Sequence, residues 1–278
     1  MNSRRLLLVE GDPSLHERLA GLLERPDRRI VSAYEEREAL DRLRGEVINL
    51  LVAGQDRNGF DALKLLRRAR SINPRTPVIV TGGRDPSRAA TALRQGAYTY
   101  FHHPVPESAL NDMVQWAIEA HSWRNDIRVV SAGPEWIDLQ VRAKLEAVER
   151  TTQFVREIEG DLPGGACENV AAAFRELHLN AVEHGAKLDS RKRVGVALIR
   201  TARAILVRIH DPGKGFSIER LPHAAISNPC DSPIRHVEIR AEQGQRPGGF
   251  GILMCRSMGD ELLYSERGNE ALFVKYLE

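Results

Sequence analysis

Glu176-Leu177-His178-Leu179-Asn180-Ala181-Val182-Glu183-His184-Gly185 is the stretch on which the fold of this chain turns. Its spacing of apolar and polar residues predicts one long helix from about Glu168 to His184, closed by Gly185, a residue favoured just past a helix C-terminus. Glu176, Asn180 and His184 are four apart and share a face of that helix. The amide oxygen of Asn180 is a hard donor suited to Mg2+, which takes a few protein oxygens together with phosphate and water. A carboxylate one turn away, at Glu176, can take a proton from a hydroxyl or from water. The same three residues also fit an ordinary polar stripe on a surface helix, and alone they do not separate the two readings.

Two clusters further on bear on that choice. Asp211-Pro212-Gly213-Lys214-Gly215 follows the strand-like run Ala204–His210. An acid at a strand end, followed by alternating glycines, can meet an amino group while the backbone passes close to a flat base. Gly248-Gly249-Phe250-Gly251 opens a helix that runs to Met258. Glycines there free backbone N–H groups for phosphate oxygens, and the helix dipole adds to the attraction. Each cluster also reads as a plain turn. Specificity lies in all three occurring in this order between Glu176 and Gly251.

The remaining second half fits around these clusters. A strand at Trp136–Val141 precedes a helix at Leu145–Ile158, which a turn from Gly160 to Gly165 closes. Val194–Arg200 and Ala204–His210 form a hairpin across Thr201-Ala202-Arg203, and Glu261–Ser265 with Ala271–Tyr276 form another. Ser217–Pro247, rich in Pro, Asn, Arg and Gln, reads as a long loop with little regular structure.

The first half has a different rhythm. Short apolar runs at Leu6–Val9, Leu50–Ala53, Pro77–Thr81 and Tyr98–His102 have the look of buried parallel strands. Helical stretches at Ser14–Leu23, Glu35–Leu43, Phe60–Ile72, Arg88–Gln95 and Glu107–Ala120 accompany them. Five β-α repeats in this length imply an open, doubly wound α/β sheet. The chain turns polar over Ser122–Gly133, which sets domains at 1–121 and 135–278 with a linker at 122–134.

Composition excludes little but constrains partners. The 278 residues carry a net charge of only +2, so no direct nucleic-acid or anionic-membrane partner is demanded. Arg67 to Arg70 alternate with apolar residues at helical spacing and read as a solvated face. Cys167, Cys230 and Cys255 are scattered without metal-ligand spacing, which fits a reducing compartment. Leu6–Val9 is too short for a signal or a membrane span, and no later run is long enough. A soluble cytoplasmic protein is the expectation.

The run Glu176 to Gly185 resembles the N-box of the ATPase superfamily that includes gyrase, Hsp90, histidine kinases and MutL. Asp211 to Gly215 resembles its G1 box and Gly249-Phe250-Gly251 its G2 box. The resemblance covers Trp136 to the C-terminus and implies a Bergerat fold, an α/β sandwich of a mixed sheet with helices on one face. It implies ATP and Mg2+ as cofactors, Asp211 on the adenine amino group, Asn180 on the metal, and Ser217–Pro247 as the lid. The implied nucleotide-contacting set is Asn180, His184, Asp211, Gly213, Gly215, Gly249 and Gly251. Within the superfamily the pattern EL-LNA-EHG looks most like the anti-sigma-factor serine kinases of bacterial partner switching. That likeness implies Glu176 as the base for a seryl hydroxyl, a weak nucleophile that needs one. It also implies a protein partner such as an anti-sigma antagonist or a sigma factor, and it is compatible with a homodimer.

The first half resembles a response-regulator receiver, from Leu6-Leu7-Leu8-Val9 through Asp61-Ala62-Leu63 and Gly96-Ala97-Tyr98 to His103-Pro104. A working receiver needs an acidic pair, an acceptor aspartate and a lysine. The corresponding positions here hold Glu10 and Gly11, Gly54, and His103. The resemblance therefore implies a pseudo-receiver used for docking, dimerisation or regulation. Asp12 and Asp56 are the residues near enough in sequence for a displaced site. His102 and His103 do not suit a metal pair, because adjacent strand residues face opposite ways.

Two other functions compete with a serine kinase. One is a non-catalytic, ATP-gated protein-binding module. The other is a histidine kinase, which needs a helical hairpin carrying its histidine. His121 lies at the start of the linker, but Ser122-Trp123-Arg124-Asn125 does not continue the usual motif, and too little helix lies between His121 and Trp136 for a hairpin.

Overall fold

The computed structural model describes residues 3–54, 61–120, 122–162, 165–216, 242 and 250–277. Two compact units divide the chain: Met1–Asn125 with Gln153–Asp161, and Asp126–Thr152 with Leu162–Glu278.

In the first unit the strands are β1 (Arg4–Val9), β2 (Arg28–Ala33), β3 (Leu50–Gly54), β4 (Val78–Gly82) and β5 (Thr99–His102). They pair in the parallel order β2-β1-β3-β4-β5. This is a doubly wound order whose ligands gather at the carboxyl ends of the strands. The helices are α1 (Pro13–Leu23), α2 (Glu36–Gly45), α3 (Ala62–Ile72), α4 (Pro86–Arg94) and α5 (Glu107–Glu119). Their starts are written locally. Asp12, Asp61 and Asp85 cap α1, α3 and α4 with side-chain oxygens, and Pro13 and Pro86 preset the first turns of α1 and α4. The inner strands are buried on both faces; Leu6, Leu8, Leu50, Val52 and Ile79 pack with Leu19, Leu110 and Val114. Each such side chain contributes roughly 1.5–3 kcal/mol relative to exposure. β2 is the strand that apolar runs do not reveal, because this edge carries Arg28 and Arg29 at its start.

The second unit holds a six-stranded sheet in the order β10-β11-β9-β8-β7-β6. The strands are β6 (Ile127–Ala132), β7 (Trp136–Arg142), β8 (Arg193–Arg200), β9 (Ala204–His210), β10 (Glu261–Tyr264) and β11 (Glu270–Tyr276). Every pairing among the described residues is antiparallel, so the mixed sheet implied by the resemblance is corrected to an antiparallel one. Both predicted hairpins form, β8 with β9 and β10 with β11. The stretch read as a polar linker, 122–134, contains the edge strand β6, whose alternation is masked by a bulge between Val129 and Ser131. One face of the sheet is buried through Ile137, Leu139, Val141, Val194, Val196, Leu198, Val207, Ile209 and Phe273. The helices are α6 (Leu145–Ile158), α7 (Ala166–Asn180) and α8 (Gly251–Met258).

Candidate nucleotide site

α7 carries the site. Its inner face buries Val170, Phe174 and Leu177, which leaves Glu176 and Asn180 half-buried on the neighbouring face. The α-helix stops at Asn180, and Ala181–Gly185 continue as a π-turn in which Ala186 N–H donates to the carbonyl of Ala181 at 2.8 Å. Such turns gather at functional sites. The π-turn also corrects the four-residue spacing. Glu176 and Asn180 share a face, whereas the exposed His184 lies beyond the change of helical period. Gly185 is corrected as well. The left-handed residues that reverse the chain are Lys187 (φ 60) and Leu188 (φ 54), not the glycine.

What Gly185 does instead is admit Asp211. A Cβ at residue 185 would stand 2.6 Å from Asp211 Cβ and closer still to its carboxylate. A Cβ at Gly213 would stand 2.6 Å from Asp211 Oδ1 and 2.9 Å from the Gly185 carbonyl oxygen. Asp211 thus lies between two backbones that only glycine leaves open. Gly213 N–H donates to Oδ1 at 2.7 Å, and among the described residues this is the one hydrogen bond the carboxylate accepts. The second oxygen remains to accept from a ligand. Burial raises the carboxyl above its ordinary range, against the lowering effects of Gly213 N–H, His210 and Arg267.

One turn before the end of α7, Glu176 meets Gly251, the first residue of α8. A Cβ there would stand 2.6 Å from the Glu176 carboxyl carbon. Burial raises Glu176 above the usual carboxylate range, opposed by Arg175 and His184 and assisted by Glu183. Glu176 lies one α-helical turn before Asn180, and Gly185, which admits Asp211, closes the π-turn after it. Along this run Asn180 lies between Glu176 and the glycine that admits Asp211.

Gly215 (φ 80) fits under the β10–β11 turn, where a Cβ would stand 2.7 Å from the Arg267 carbonyl carbon. That turn brings in Asn269, which the sequence reading passed over as part of a hairpin. Gly249 lies outside the described residues, as does the stretch Ser217–Pro247 expected to be the lid, apart from Glu242.

In the first unit, Glu10, Gly54, Thr81 and His103 gather at the carboxyl ends of the strands; Gly54 pairs with Thr81. The Glu10 side chain is fully buried and occupies the room a side chain at 54 would need. A Cβ at Gly54 would stand 2.9 Å from the Glu10 carboxyl carbon and 3.3 Å from the Val9 carbonyl oxygen. Asp12 is occupied in capping α1, and Asp56 lies outside the described residues. Burial lowers the His103 imidazole below its ordinary value, with Arg18 and His102 adding to the effect. His102 points elsewhere, its Nδ1 2.8 Å from Glu157 Oε2. No group of metal-ligating side chains forms among the described residues.

The fold defines a receiver-like parallel α/β module joined to a second α/β module with an antiparallel sheet, and comparison with known proteins agrees. Residues 6–115 match the response regulator receiver domain, and residues 141–275 match the histidine kinase-like ATPase domain. The chain thus carries one domain of each kind. In Pseudomonas aeruginosa it is similar to the C4-dicarboxylate transport transcriptional regulatory protein DctD, 29% identical over 116 residues, 41% of this chain and 25% of that one. It is also similar to the response regulator protein FleR of the same organism, 33% identical over 111 residues, 40% of this chain and 24% of that one. The chain spans about a quarter of the length of these curated relatives. Among solved structures, a CheY-like receiver domain from Methanospirillum hungatei JF-1 aligns with 42% of this chain and 94% of its own, at 21% identity and a TM-score of 0.39. No described helix is long and apolar enough to cross a membrane. The described residues from 122 to 136 hold β6 and no helix, so they supply no hairpin for a phosphoaccepting histidine; His121 itself lies outside them.

Proposed function

We propose that this chain is a bacterial signalling regulator that binds Mg-ATP in its second domain and phosphorylates a serine or threonine on a protein partner. The observation that carries the reading is Asp211 fixed between Gly185 and Gly213 with one carboxylate oxygen uncommitted. The cradle fits a flat base presenting an amino group. Asn180, half-buried one turn from Glu176, is the residue suited to hold Mg2+, and the opening of α8 at Gly251 is suited to phosphate oxygens. When bound, Mg-ATP supplies the transferable phosphoryl group. Glu176, held above its ordinary range by burial, is the base that takes the proton of the attacking hydroxyl. His184, exposed within the π-turn, would meet the nucleotide at the edge of the site. An anti-sigma antagonist or a sigma factor is the class of partner the N-box pattern suggests.

The receiver domain, in this reading, does not take up phosphate. Glu10 fills the acceptor space and Gly54 offers no nucleophile. Its use is as a docking or regulatory module.

Calorimetric titration of the full chain with ATP and Mg2+ tests the site, with saturable binding expected. Absence of binding at about 1 mM ATP, the upper end of ordinary enzyme affinities, refutes it. Transfer of labelled γ-phosphate to protein, lost in Glu176→Gln while ATP still binds, is the outcome expected of a kinase. Binding without transfer to any partner favours the ATP-gated module.

A further inference from the structure

We infer that Asn269 sets the base specificity of this site by holding Asp211 in place. The inference rests on the nucleotide reading above and names a residue that touches no ligand itself. Asn269 lies in the turn between β10 and β11, where asparagines ordinarily face water, yet it is only 8% exposed. It meets Asp211 twice. The Asn269 carbonyl accepts from Asp211 N–H at 2.9 Å, and Asn269 Nδ2 donates to the Asp211 carbonyl at 3.2 Å. The same Nδ2 stands 3.2 Å from His210 Nε2.

The turn that carries Asn269 is itself clamped. Gly268 (φ 74) bends it, and a Cβ at Gly215 would stand 3.1 Å from Asn269 N. The main chain of Asp211 is therefore held by Asn269, while its carboxylate is held by Gly213 and bounded by Gly185. The two restraints act on different parts of one residue, and both are needed to fix where the second carboxylate oxygen points.

The consequence is specificity more than affinity. A carboxylate distinguishes adenine from its 6-oxo counterpart by accepting from the 6-amino group. Inosine presents a carbonyl there instead. Hydrogen bonds weaken steeply with misalignment, so a carboxylate free to drift loses this discrimination. The groups suited to metal and phosphate, Asn180 and the start of α8, belong to other elements. Loosening Asp211 should therefore lower binding of ATP and leave that of ITP nearly unchanged.

The test compares the full chain with Asn269→Ala and Asn269→Asp, titrating Mg-ATP and Mg-ITP separately. Asn269→Asp keeps the shape and replaces the donor with an acceptor facing the Asp211 carbonyl. Its added charge acts alike on two triphosphates, so their ratio is unaffected by it. Expected is a fall of about fivefold or more in the preference for ATP over ITP in both variants, with ITP affinity within about twofold for Asn269→Ala. Unfolding midpoints by circular dichroism establish that each variant is folded. If the wild type discriminates and both folded variants keep the same preference, the inference fails and the site stands. Equal losses on both nucleotides, the mark of a purely structural turn, overturn it as well. A wild-type chain that does not distinguish the two overturns the role of Asp211, and this inference with it.

Discussion

Replacing Gly185 by alanine isolates the feature on which the nucleotide reading depends. The added methyl would lie 2.6 Å from Asp211 Cβ and nearer to the carboxylate, where carbon–carbon contacts ordinarily settle at about 3.5–4.0 Å. Roughly 1 Å of movement is required, and the backbone has little room to supply it. Residue 185 closes a π-turn, and its carbonyl already lies against Gly213. The carboxylate gives way, losing its 2.7 Å bond from Gly213 N–H and its aim at a ligand. A hydrogen bond to a charged group is worth about 1.5–3 kcal/mol, so ATP affinity should fall roughly 10- to 150-fold. Overpacking should also lower folding stability by about 1–3 kcal/mol. Calorimetric titration with Mg-ATP and denaturant unfolding measure the two effects. Gly21→Ala is the control: nothing lies within 4 Å of a Cβ there, in the last turn of α1, so that variant should gain up to ~1 kcal/mol and bind ATP normally. A Gly185→Ala protein that binds ATP within about twofold of wild type would refute the claim that this glycine exists to admit Asp211.

In the receiver domain, Gly54→Asp should not restore an acceptor. The new carboxylate meets Glu10 in a buried pocket, so the variant should lose about 2–4 kcal/mol and show no Mg2+-dependent response to a phosphate analogue. Adding Glu10→Ala should recover most of the lost stability, and failure to recover it would place the cost elsewhere. His178 is fully buried with neither ring nitrogen hydrogen-bonded among the described residues, and burial holds its pKa down to about 3. The folded chain refuses a proton that the unfolded chain accepts below its ordinary 6.5, so stability is intact above 6.5 and drains away as pH falls toward 3. His178→Leu should add about 1–3 kcal/mol at neutral pH and flatten that acid limb; an unchanged limb in urea titrations counts against it. Glu176 has the opposite sign. Its raised pKa gives stability that is present below the ordinary 4.5 and lost as pH rises through the folded value. Glu176→Gln should therefore melt higher than wild type at pH 8 and not at pH 4, and a pH-independent difference would remove burial as the cause.

Much of this architecture was legible because the chain writes it locally. Leu6 to Val9 and Leu50 to Ala53 announce buried parallel strands by unbroken apolarity, and the hairpin from Arg193 to His210 by two β runs around a short turn. β2 and β6 are sheet edges. Arg28, Arg29 and the bulge at Val129 serve to blunt those edges, which is what erases the pattern a reader looks for. The site was legible in residue type and less so in geometry. Glu176, Asn180 and Asp211 were visible as chemistry, but the π-turn that displaces His184 depends on how the chain leaves α7, not on composition. Gly185 was read as a helix terminator because glycine usually is one. Its real constraint comes from a carboxylate 26 positions downstream. Asn269 could not be singled out, since burial of a turn residue is a tertiary property.

The same local device recurs in both domains with opposite consequences. Glu10 beside Gly54, Asp211 beside Gly185 and Glu176 beside Gly251 are each a carboxylate pressed into the place of an absent side chain. A glycine in such a pair is not a site of freedom; it is the socket for a neighbour's charge. In the receiver domain the socket is filled by a residue of the domain's own acidic position, which removes both the acceptor and the room for one. In the ATPase domain the socket leaves one carboxylate oxygen of Asp211 open to a ligand. In the proposed function the receiver domain takes up no phosphate and the ATPase domain binds nucleotide, which makes ATP the chemical input for these two domains. Conformational control, in the proposed function, flows from the occupancy of the Asp211 cradle, and the receiver fold contributes surface in place of chemistry.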